Sequence, residues 1–224
     1  MGIYVIFIVI ALVSYLVQSS LKNKFERYSQ MPIAMTGKEV AEKMLHDNGI
    51  YDVRVISTPG MLTDHFNPTD KTVNLSEGVY SSNSVAAAAV AAHECGHAVQ
   101  HATKYGALQL RSSLVPIVSF ASQWISWVLL AGILLIEVMP QIMLAGIILF
   151  AMTTLFSIVT LPVEINASHR ALVWLDRSGI ATGRNNECAK DALKSAAYTY
   201  VVAALGSLAT LMYYVMIFMG RRRD

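Results

Sequence analysis

The sequence predicts a mainly α-helical integral membrane protein, with about four transmembrane helices and a small α+β domain. Three observations carry that expectation. Hydrophobic residues make up 54% of the 224 residues and charged residues only 14%, whereas soluble domains carry about 25% charged residues. The apolar excess is gathered into four runs, near residues 3–17, 114–136, 142–161 and 196–219. Each run comes close to the ~20 residues that carry a helix across a hydrocarbon core. A chain of this length cannot bury that many apolar helices against itself. The same composition excludes intrinsic disorder. A net charge of +2 is too small for a nucleic-acid partner held by a basic surface. Two cysteines, Cys95 and Cys188, are too few for a disulfide scaffold.

The first run, within residues 1–21, starts uncharged and is followed by Lys22, Lys24 and Arg27. A cleaved signal peptide shows the opposite order, so a retained transmembrane anchor is expected. Residues 22–111 form a polar domain. Within 112–162, the second run carries Trp124 and Trp127, and the third run ends at Pro162. The short connection at 137–141 makes these two a transmembrane hairpin. Residues 163–195 are a polar helical segment, with Glu164 expected near the start of a new helix after Pro162. Residues 196–224 form the last span and end on Arg221, Arg222 and Arg223. Counting spans places both polar segments on one side of the membrane. The excess of Lys and Arg on those segments assigns that side to the cytoplasm by the positive-inside rule.

Inside the polar domain, Thr36 and Glu39 have capping-box spacing. Val40, Ala41, Met44 and Leu45 follow at helical intervals, and Asn48-Gly49 stops the helix. The alternation around 53–57 predicts a short strand. Asp64 to Pro68 reads as a turn, and 71–75 as a second strand, the two strands forming a hairpin or a two-stranded edge.

The alanine-rich stretch after Ser82 is strongly helical, and Ser82 or Ser84 can cap it. It contains His93-Glu94-Cys95-Gly96-His97. Histidines at i and i+4 lie on one helix face, where both imidazoles can reach one ion. Glu94 is rotated about 100° from His93 and is placed to act on water at that ion. This is the HExxH arrangement of zinc peptidases, with the glutamate as general base. Cys95 is directed off that face and is expected to pack as a small hydrophobe. Gly96 either lets another backbone or a substrate come close or is simply tolerated.

A catalytic zinc site needs a third protein ligand and an open position. Thr103 stands where a metzincin would carry its third histidine. His101 lies too far along the helix to share the ion with both histidines. His46 and His65 have no supporting pattern. Glu164 is the best candidate, because a carboxylate near a membrane boundary is costly unless paired or metal-bound. A helix-start carboxylate favoured by the dipole is the plain alternative.

HECGHAVQHA behind an alanine-rich helix, together with LPVEINASHRALVWL, resembles the neutral zinc metallopeptidase family of bacterial membrane proteins (YugP-like). The likeness covers nearly the whole chain. It implies a zincin-like polar domain in the bacterial plasma membrane and a gluzincin-type peptidase. It also implies one Zn²⁺ per chain, held by His93, His97 and Glu164. A more distant likeness links it to heat-shock and CAAX-processing membrane peptidases. Those carry an Asp four residues after the metal-binding Glu, where this chain has Ser168, so that Asn166 or a backbone carbonyl is the substitute partner for a ligand histidine.

The activity so implied is endopeptidase hydrolysis of a peptide or protein substrate, which can itself be a membrane protein. Glu94 takes the proton of the attacking water and returns it to the leaving amine. His169, Arg170, Tyr198 and Tyr200 are candidate oxyanion donors, although Arg170 reads first as a helix-surface or interfacial residue and the two tyrosines as interfacial anchors at the start of the last span. The strand near Val73–Leu75 offers an edge for an extended substrate. The competing class is a membrane scaffold or assembly factor with a closed structural zinc site, for which His101 or Cys95 would be the fourth ligand.

Overall fold

A computed structural model describes residues 2–220. In chain order the elements are α1 (Gly2–Ser29), α2 (Gly37–Asp47), β1 (Arg54–Thr58), β2 (His65–Asn67), β3 (Thr72–Ser76), α3 (Glu77–Tyr80), α4 (Val85–Ala102), α5 (Gly106–Leu134), α6 (Pro140–Arg177) and α7 (Arg184–Gly220). The architecture is mainly α with one small sheet, as the sequence predicts. Four helices are long and apolar enough to cross a membrane: Val5–Ser29, Gly106–Leu134, Pro140–Arg177 and Arg184–Gly220. The Arg triplet after the last span lies outside the described residues.

The chain divides into two compact units. One comprises the described residues of Met1–Tyr15, Gln109–Leu161 and Thr199–Asp224. Its core is formed by Leu129, Met143 and Ile147, with Phe150, Leu211 and Tyr214 packed around them. The α5–α6 hairpin closes tightly because Gly132 has no side chain; a Cβ there would fall 2.7 Å from the Met143 Cα. Thr154 Oγ1 and Ser207 Oγ lie 2.8 Å apart and join α6 to α7 by a hydrogen bond, a polar contact suited to apolar surroundings. Phe120, Trp124, Trp127 and Leu134 point outward and are exposed. Apolar surface on this scale matches lipid as its solvent.

The other unit comprises Leu16–Leu108 and Pro162–Tyr198. Its centre is α4, whose alanines from Ala86 to Ala92 are almost entirely buried. Their small side chains let neighbouring elements approach on several sides. Val40, Ala41, Met44 and Leu45 of α2, Val73 and Leu75 of β3, and Ala171 and Leu175 of α6 complete the core. The α2 start is a full capping box. The Glu39 amide donates to Thr36 Oγ1, and the Thr36 amide donates to Glu39 Oε2 at 2.7 Å. That backbone bond, reinforced by the Thr36 hydroxyl, holds the Glu39 carboxyl below its ordinary pKa. The helix ends at Asn48, with Gly49 at φ 70°.

Three expectations are corrected here. The stretch read as a turn contains a strand, β2, paired antiparallel to β3 with Phe66 opposite Val73. The β2–β3 pair is the hairpin. Its turn is closed by Asn67 Oδ1, which accepts from the Thr69 and Asp70 amides. The β1 strand instead pairs parallel to β3, so the sheet order is β1-β3-β2. Val73–Leu75 therefore belongs to the central strand. It is bonded on both sides and buried, and it offers no edge for a substrate. Finally, Pro162 does not end the third apolar helix. It lies inside α6, which continues to Arg177, so Glu164 is in mid-helix. One missing N–H costs less there than exposing a helix end in apolar surroundings.

Candidate metal centre

The site is assembled from α4 and α6 within the second unit. Ser84 caps α4 by accepting from the Ala87 amide, which leaves His93 and His97 two and three turns further on. Their rings meet edge to face, with centroids 4.8 Å apart. Glu164 Oε2 lies 3.2 Å from His93 Nε2 and 3.6 Å from His97 Nε2. One ligand atom from each of the three residues falls within 4.8 Å of the others, and Glu164 and His97 are buried.

Gly96 permits this convergence. A Cβ at Gly96 would lie 2.6 Å from the Ala167 carbonyl oxygen and 3.1 Å from the Ala167 Cα. The backbones of α4 and α6 thus touch between the two histidines and one turn from Glu164. Close approach of another backbone, rather than tolerance, is the reason for a glycine here.

The spacing suits a zinc ion. Bonds of about 2.1 Å at a tetrahedral angle put ligand atoms about 3.4 Å apart, and the two measured separations to Glu164 bracket that value. Two imidazoles and a carboxylate are also an ordinary donor set for catalytic zinc. Burial pushes the His97 imidazolium toward a lower pKa. The nearby carboxylates of Glu164 and Glu94 outweigh it, and the pKa ends above its ordinary value. Glu94, the next residue after His93, is itself buried.

The remaining predicted residues divide clearly. Ser168 Oγ is 3.0 Å from His93 Nδ1, so the serine occupies the place expected of an aspartate. Asn166 touches neither histidine; its Oδ1 accepts from Arg170 Nε at 2.8 Å and from Gln100 Nε2 at 3.0 Å. His169 is exposed. His101 stacks near Phe66, 5.8 Å between centroids, and His46 near Tyr51. His65 sits on β2 with Nδ1 2.7 Å from the Thr63 carbonyl. Cys95 is fully buried and donates to the Ala41 carbonyl oxygen. Burial raises its thiol pKa well above the ordinary value, as expected of an inert packed thiol. Lys194 lies over the Tyr198 ring.

One residue at the site escapes motif reading. Gln100 is completely buried, with Oε1 3.1 Å from His97 Nδ1 and Nε2 2.8 Å from the Val163 carbonyl oxygen. Its only signal was position: three residues after His97, it shares that histidine's helix face.

Known proteins resemble the chain over almost its whole length. The chain is 43% identical over 213 residues, 94% of either chain, to a Bacillus subtilis (strain 168) protein named "Putative membrane protease YugP". No solved structure gives a significant match. Residues 3–219 match the family described as "Putative neutral zinc metallopeptidase", and the chain belongs to that family.

Proposed function

We propose that this protein is a membrane-bound zinc endopeptidase, with His93, His97 and Glu164 holding one Zn²⁺ and Glu94 as general base. The observation that carries the reading is the convergence of three donor atoms, from segments 71 residues apart, to within 4.8 Å. The buried Glu94 next to His93 supplies the fourth participant. When bound, zinc polarises the attacking water and the scissile carbonyl. His93 and His97 present imidazole nitrogens, Glu164 presents its carboxylate, and Ser168 bonds the far nitrogen of His93. Glu94 accepts a proton from the water and delivers it to the leaving amine. The chain is read as a multi-pass protein of a bacterial plasma membrane, with both polar segments on the cytoplasmic side and a peptide or membrane-protein substrate. A reporter fused after Asp224 tests that orientation.

A structural zinc site is not favoured. It requires a fourth protein ligand, and among the described residues His101 packs by Phe66 while Cys95 faces Ala41.

The decisive experiment is metal analysis with a cleavage assay on purified protein. Wild type should carry one zinc and cleave an unfolded protein substrate. Glu94→Gln should keep the zinc and lose activity by about 100-fold or more. Retained proteolysis in that variant sinks the assignment.

A further inference from the structure

We propose that Arg170, Asn166 and Gln100 form a one-way hydrogen-bond chain that holds His97 as its Nδ1–H tautomer and leaves the Nε2 lone pair facing His93 and Glu164. The three are positioning residues. The direction follows from groups that can act in only one sense. Arg170 Nε can only donate, and it lies 2.8 Å from Asn166, so the asparagine presents its oxygen. That oxygen also meets Gln100 at 3.0 Å, and the Val163 carbonyl oxygen meets the same Gln100 atom at 2.8 Å. Two acceptors demand a donor, which fixes the Gln100 nitrogen on that side. Its oxygen must then face His97 Nδ1, 3.1 Å away. An amide oxygen only accepts, so the proton resides on Nδ1. A neutral imidazole protonated there carries its lone pair on Nε2, the atom 3.6 Å from Glu164 Oε2.

Burial makes the arrangement rigid. Gln100 is fully buried, so water cannot serve a flipped amide. A flip would set the oxygen against the Val163 and Asn166 acceptors and lose both of those bonds at once. His93 differs. Its partner, the Ser168 hydroxyl, can donate or accept and does not dictate a tautomer. Arg170 is thereby drawn into positioning, with its Nε committed to Asn166. The benefit to metal binding rests on the reading under Proposed function; the tautomer does not.

The test is ¹⁵N NMR of the imidazoles in full-length, metal-free protein in detergent, at a pH alkaline enough to keep them neutral. The His97 signal is assigned by its loss in His97→Ala. Wild type should show His97 protonated on Nδ1. Gln100→Met keeps the length and removes the acceptor; it should shift His97 toward Nε2–H and weaken zinc binding by about 10–100-fold. Gln100→Glu keeps an acceptor toward Nδ1, and Asn166→Asp keeps an acceptor toward Gln100. Both should preserve the tautomer, which a role in packing alone would not predict. A wild-type His97 protonated on Nε2, or Gln100→Met with an unchanged tautomer, overturns the proposal. Should Gln100→Met fail to fold, the wild-type tautomer and the Asn166→Asp result decide. The predicted tautomers in a protein that binds no zinc would support the chain and refute the metal reading instead.

Discussion

Gly96→Ala is the most searching single change in this molecule, because it adds one methyl group where two helix backbones touch. The new Cβ would stand 2.6 Å from the Ala167 carbonyl oxygen, whereas even close C···O contacts begin near about 3.3 Å. The obstacle is backbone within the long α6 helix, so no side chain can swing aside. The helices must part by roughly 0.7 Å, the gap between that distance and an ordinary contact. Overpacking of this kind costs about 1–3 kcal/mol. The better helix propensity of alanine returns about 1 kcal/mol. Folding should therefore suffer by about 2 kcal/mol at most. Metal binding should suffer more, since ligand distances in a working site hold within about 0.2 Å. Glu164 lies on the displaced helix, one turn from the contact. Zinc affinity should fall by about tenfold or more, which corresponds to about 1.4 kcal/mol. Thermal unfolding in detergent and zinc competition with a chromophoric chelator give the two numbers. A variant with wild-type zinc affinity would refute the claim that this backbone contact sets the ligand geometry.

Other outcomes follow from named contacts. Glu164→Gln should lose zinc binding, because the neutral amide replaces the carboxylate; stoichiometric zinc of unchanged affinity would remove Glu164 from the ligand set. The Glu39 carboxyl has a lowered pKa in the folded state because the Thr36 amide and hydroxyl donate to it. Its contribution is thus present above the ordinary carboxylate pKa and is lost as pH falls through the lowered one. Glu39→Gln should therefore melt below wild type at neutral pH and converge with it in acid; a gap that persists or widens in acid would contradict the capping assignment.

What the sequence revealed and concealed has a physical pattern. The α2 cap was legible because Thr36 and Glu39 act within one turn, and the HExxH face because i and i+4 residues align on any helix. Ser168 was legible in position, four residues from Glu164 on the same face of α6, but not in partner. Pro162 misled because proline ends most helices, and only surroundings not encoded locally keep α6 intact. β2 was hidden because its three residues, His65–Asn67, are too few to show alternation, and its existence depends on β3. Gln100 was hidden because no local rule marks a glutamine. Its importance comes from Val163 and Asn166, 63 and 66 residues away.

The cluster is also costly in a way that bears on its purpose. Glu164 is 4% exposed and His97 8% exposed, so ionised groups there lose hydration that must be offset by their attraction to one another. Apolar side chains of similar volume at a helix contact usually serve stability as well or better. Around the cluster, the core of this unit shows what it does when it packs for stability: alanines, valines and leucines. The polar exceptions are confined to residues that converge on one point or orient those that do. A histidine held in one tautomer by a buried amide gains nothing for a folded core, since a leucine has no tautomer to fix. It gains something only if one nitrogen must be kept free for an electrophile, so the supporting shell argues for a bound cation independently of the three donors themselves.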